Sequence, residues 1–181
     1  MKTSHIVLLV IGLIVVGVVG SFFSYYNQGV RAEAGIKAAY ENNENILGQY
    51  SLKVKEAAKV SDKYSEALTQ FVTDSMTGRY GEDGSQAQMQ WIQENIPDFD
   101  ASMYKKIQQI IEAGRTKFEN AQTELVDRKR AYFDVELKSP WSGLMLSLGG
   151  FPKINEDDYK IITSGHAKKT FETGVDEGVD F

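Results

Sequence analysis

Cysteine is absent from this chain of 181 residues, which excludes disulfides, thiolate metal sites and a cysteine nucleophile and leaves packing alone to hold the fold. Proline occurs three times and never before Pro97, so nothing in the first half forbids a long helix. The two histidines, His5 and His166, have no second histidine or carboxylate at ligand spacing, which argues against a zinc site or a histidine acid–base pair. Charge is missing altogether from Ile6 to Tyr26, a run of 21 residues dense in Ile, Val and Leu, and a helix of that length crosses about 30 Å of hydrocarbon.

That apolar run reads as a transmembrane anchor over residues 1–26. Phe22, Phe23, Tyr25 and Tyr26 follow the aliphatic stretch directly, where aromatic rings favour the headgroup region, and they mark the exit of the span. The rival reading is a secreted protein with a cleaved signal peptide, since Val18 and Gly20 put small residues ahead of a cut before Ser21. Lys2 and the terminal amine face Arg31 and Lys37 across the span, a tie that leaves orientation open. After Tyr26 the chain carries 19 basic and 25 acidic residues, a net charge of −6. Such a balance argues against nucleic acid and against a polybasic membrane-binding face.

Beyond the anchor the pattern is helical. Apolar residues recur in steps of three and four at Tyr26, Val30, Tyr40, Leu47, Tyr50, Val54, Ala57, Tyr64, Leu68 and Phe71, a coiled-coil-like seam. Asn43 and Ser61 sit in it as well, so it is too polar for a tight two-stranded zipper and is expected to pack within its own chain. Gly29, Gly35 and Gly48 each cost about 1 kcal/mol relative to Ala in a helix interior and allow a bend. Three glycines between Gly78 and Gly84 mark a loop, a short amphipathic helix follows from Gln86 to Ile96, and Pro97 closes it. Asp100 or Ser102 can cap a return helix whose apolar positions Met103, Ile107, Ile110, Phe118, Ala121, Leu125, Tyr132 and Val135 repeat the rhythm toward Pro140. At 1.5 Å per residue the outgoing helix, Ser24–Ser75, would be about 78 Å long and the return, Ala101–Ser139, about 58 Å. From Ser139 to Pro152 come fourteen residues without a charge. They fit either an interfacial or re-entrant element that dips Trp141 and Phe151 into headgroups or a cap on the open end of the bundle. Tyr159-Lys160-Ile161-Ile162-Thr163 resembles a short strand, and the acidic tail runs to Phe181.

The expected fold is therefore all-α: a transmembrane helix, an elongated antiparallel helical bundle over 27–155, and at 156–181 a short β element or an extended tail. A search for chemistry finds no catalytic, cofactor-binding or metal-ligating set. Ser164-Gly165-His166 lacks the context of a nucleophile elbow. Glu82-Asp83 and Glu156-Asp157-Asp158 lack the alternating oxygens of a calcium loop. The glycines at 78–84 and 149–150 form no phosphate-cradling loop. Lys105-Lys106 and Arg128-Lys129-Arg130 lie among Glu124, Asp127 and Asp134, where pairing at helical spacing is expected. An enzyme would need distant groups such as Glu112 and His166 to converge, and nothing in the sequence brings them together.

Tyr26-Asn27 with Val30 and Ile36, then Leu125, Lys129 and Tyr132, then Pro140 and Gly149-Gly150-Phe151 together resemble the LemA family over most of residues 6–155. The stretches Ile161–Ser164 and Thr170–Gly174 resemble the tails of LemA-like proteins of bacteriophages and some bacteria. The resemblance implies a membrane-anchored helical bundle with no catalytic residues to carry over. The expected role is structural or interactive, with the lipid bilayer as one partner and a protein partner or self-association through the seams as another. An inner-membrane spanin, a lysis or envelope-remodelling protein, shares the layout of one span before a helical rod and is the competing reading.

Overall fold

The computed structural model describes residues 3–58, 69, 70, 72, 73 and 101–162. Its elements are α1 (Thr3–Ala58), α2 (Ala101–Lys129), a π-helical segment (Arg130–Glu136), α3 (Pro140–Leu148) and a 3-10 turn (Glu156–Asp158). Residues 69, 70, 72 and 73 are helical too, and no strand occurs among the described residues. The fold is all-α, an apolar N-terminal helix running on into antiparallel helical packing. The loop at 78–84, the helix expected at Gln86–Ile96, the seam positions Ser61, Tyr64, Leu68 and Phe71, the Met103 side chain, and everything from Thr163 onward lie outside the described residues.

The chain divides into two compact units, one of residues 1–39 and 124–160, the other of residues 40–123 and 161–181. In the second, Ile46, Tyr50 and Val54 of α1 form one stripe at four-residue spacing. They bury against Ile107, Ile111, Phe118 and Ala121 of α2, with Val72 completing the cluster. Each fully buried aliphatic side chain contributes about 1.5–3 kcal/mol. The seam is polar in part, as the sequence indicates: Asn43 and Ser51 are buried with no hydrogen-bond partner for the amide or the hydroxyl among the described residues. Each such group costs about 1–3 kcal/mol of desolvation.

In the first unit the pairing runs antiparallel: Gln28 meets Glu136, Glu33 meets Tyr132, and Gly35 lies beside Arg128. The α1 face that packs here is Gly29, Glu33, Ile36 and Ala39, one step off the expected seam, and Val30 points outward at 44% exposure. At Gly29 the neighbours come so close that a Cβ would sit 2.7 Å from Leu146 Cδ2 and 3.0 Å from two ring atoms of Phe151. Missing side chain, not flexibility, is what that position supplies.

The return helix also departs from its expected rhythm. The Leu137 amide donates to the Tyr132 carbonyl at 3.0 Å, five residues back, so each turn of Arg130–Glu136 holds an extra residue. Tyr132 stays inside at 1% exposure, whereas Val135, three residues on and expected in the seam, is carried outward to 54%. The strand expected at 159–163 is not formed over its described residues, 159–162. Helix side chains take up its backbone groups instead: Lys129 Nζ donates to the Tyr159 carbonyl at 2.9 Å, and the Ile162 amide donates to Gln122 Oε1 at 3.0 Å.

Candidate functional site

Of the residues singled out in the sequence, Phe22, Tyr26 and Phe151 meet where α1 leaves its apolar run. From Thr3 to Gly20 every residue of α1 is exposed, and the best 18-residue window has a mean hydropathy of 3.0. From Ser21 onward α1 gains cover: Ser21, Phe22, Tyr25 and Tyr26 are half-buried, and Gly29 and Glu33 are buried. Phe22 meets Phe23 edge-on with centroids 5.6 Å apart, and Phe23 itself is exposed.

The covering element is α3 with the turn behind it. Pro140 starts α3 at its first position, where a missing amide hydrogen costs nothing. A Cβ at Gly143 would run into the Leu137 carbonyl oxygen, so only glycine lets the helix start this close to the preceding turn. At the other end Gly149 and Gly150 donate to the Met145 and Ser147 carbonyls. Gly150 takes φ +75°, a left-handed conformation that side chains disfavour. The chain is thereby turned back so that Phe151 lies on α1, its ring edge-on to Tyr26 with centroids 5.4 Å apart. The Phe151–Pro152 peptide is cis.

Phe151 is buried at 5%, so it serves as packing and is not a surface contact for headgroups. Trp141 is exposed at 48%. The uncharged segment thus has two faces. Gly143, Met145 and Leu146 are buried, and Trp141, Leu144 and Leu148 look outward.

Below this layer sits a polar hub that the sequence does not advertise. Glu33 is 8% exposed, and one of its carboxylate oxygens accepts two hydrogen bonds of 2.7 Å, from the Tyr132 hydroxyl and from the Lys153 amide. Burial foremost, then the bond to Glu33 and its charge, holds the Tyr132 phenol well above its ordinary value of 10.0. The Lys153 ammonium stands 4.7 Å over the Tyr26 ring and 4.4 Å over the Phe151 ring and donates to the Tyr26 hydroxyl at 3.1 Å. Lys129 turns inward to the carbonyls of Glu156 and Tyr159, while its neighbour Arg128 makes the expected pair with Glu124, four residues back, at 2.8 Å. On the other side of α1 an open groove of about 590 Å³ is lined by Ser24, Asn27, Gln28, Arg31, Ala32 and Glu136.

Nothing in this arrangement provides a nucleophile with a base. Among the described residues no three His, Cys, Asp or Glu side chains cluster to hold a metal. Glu112 lies exposed on α2, and His166 is outside the described residues. Glu33, Tyr132, Lys153 and Phe151 join the turns of α1 that follow the apolar stretch to the return helix and to the turn after α3. No family model, curated protein or solved structure matches the chain.

Proposed function

We propose that the chain is a single-pass membrane protein of the LemA type whose helical part serves as a structural or interaction module without catalytic activity. The observation that carries this reading is α1 itself, one unbroken helix whose apolar stretch is exposed from Thr3 to Gly20 and which gains packing on one face from Ser21 on. A soluble core helix would bury that surface, and exposed apolar area of this extent calls for lipid.

The LemA reading is supported by where its residues fall. Ile36, Leu125, Tyr132 and Phe151 are all buried in the first unit. Tyr26 packs on Phe151, and Lys129 bonds the turn at Glu156. Asn27 and Val30, which also carry the resemblance, are exposed.

Expression of the full chain in a bacterial host, with a single cysteine placed at Gly81, tests the reading. Cells are expected to keep their integrity, with the cysteine labelled by a membrane-impermeant maleimide from one side only. Release of cytoplasmic contents on expression would favour the spanin-like role instead.

A further inference from the structure

We propose that the outward face of α3 is a second membrane contact, lying in the plane of the interface of the leaflet from which α1 emerges. The inference rests on the reading of the apolar part of α1 as a span. Trp141, Leu144 and Leu148 fall three and four residues apart and so share one face of α3, exposed at 48%, 51% and 65%. On the opposite side Leu146 is buried and closes on Gly29 of α1, and Met145, beside the outward face, is buried as well. A short helix that is apolar on both faces, within fourteen uncharged residues, is poorly suited to having one of them in water.

The position of α3 names the occupant. Leu146 and Phe151 close on Gly29, and Gly149 and Phe151 close on Tyr26, so α3 is tied to α1 within one turn of the last residue of the apolar run. Three residues of helix rise about 4.5 Å. The headgroup layer on each side of the hydrocarbon is on the order of 5–7 Å deep. A helix fixed at that height lies at the boundary between acyl chains and headgroups, where Trp and Leu bind and where an in-plane apolar face is stable. Three side chains fall well short of the roughly 800 Å² per partner that a stable protein interface needs, which favours a lipid surface over a second copy.

The test uses the full chain with Trp91→Phe, which leaves Trp141 as its sole tryptophan, reconstituted in phosphatidylcholine vesicles brominated either near the headgroup or deep in the acyl chain. Trp141 emission is expected to shift to the blue on reconstitution and to be quenched more by the shallow bromines, unchanged as protein is diluted into excess lipid. If the chain floats with the vesicles yet Trp141 is not quenched, the second contact is overturned while the anchor stands. Blue-shifted emission that is lost on dilution would assign the face to another copy of the chain and overturn the proposal as well. Failure to float overturns both readings. Should Trp91→Phe lose helicity, the same signal is read as the quenching present in the unsubstituted chain and absent in Trp141→Phe.

Discussion

Phe151→Ala is expected to destabilise the first unit by about 3–5 kcal/mol, the range for truncating a buried aromatic ring. Phe151 is 5% exposed, and its ring is held on three sides, by Tyr26 edge-on, by the Lys153 ammonium, and by α1 at Gly29. Gly29 decides where in the range the loss falls. It has no side chain to move into the vacated space, so the cavity stays open and the upper half applies. The same change removes the surface against which Lys153 and the end of α3 are positioned. Amides of α3 and its C-terminal turn should therefore exchange with solvent much faster. Urea unfolding of the full chain in lipid nanodiscs, read alongside hydrogen exchange, measures both. A loss under about 1 kcal/mol with unchanged exchange would mean that Phe151 does not hold α3 to α1.

Tyr132→Phe tests the polar hub and carries a pH signature. Glu33 accepts from two donors, and removing the Tyr132 hydroxyl leaves a buried carboxylate one donor short, at about 1.5–3 kcal/mol for a hydrogen bond to a charged group. The Tyr132 phenol is held above its ordinary value of 10.0 in the folded chain. Below that value it is protonated both folded and unfolded, and its contribution is fully present. As pH rises past 10.0 the unfolded chain releases the proton while the folded chain keeps it, so stability falls by up to about 1.4 kcal/mol per pH unit from this group. The unsubstituted chain is thus more stable than Tyr132→Phe at pH 8, and its advantage narrows between pH 10 and 11.5. Denaturation curves that stay parallel across that range would show that Tyr132 titrates freely and that the hub is not closed.

How much of this was legible in the sequence follows from what hydrophobic periodicity can register. The apolar run and the stripe of Tyr50 and Val54 stand out because a helix repeats every three to four residues and these positions obey it. Gly29 and Glu33 escaped, since a glycine has no hydropathy to speak of and a glutamate reads as a solvated charge; both are buried because a neighbour was built to meet them. Val135 fits the period in the sequence yet points outward, because the π-helical segment breaks the period without leaving a mark in composition. Lys129 read as surface charge, yet it reaches back to carbonyls about thirty residues further on, a contact that depends on the turn after α3. For Ser139–Pro152 composition alone does not separate a cap from an interfacial element. Phe151 and Leu146 cap the packing, and Trp141 with Leu144 and Leu148 forms an open face.

Alkaline carbonate extraction of membranes carrying the full chain, with the intact mass of the recovered protein, tests the anchor most directly. A spanning helix resists carbonate, so the account predicts the chain in the pellet with its first twenty residues still attached. Recovery in the supernatant at full length, or a mass beginning at Ser21, would contradict it.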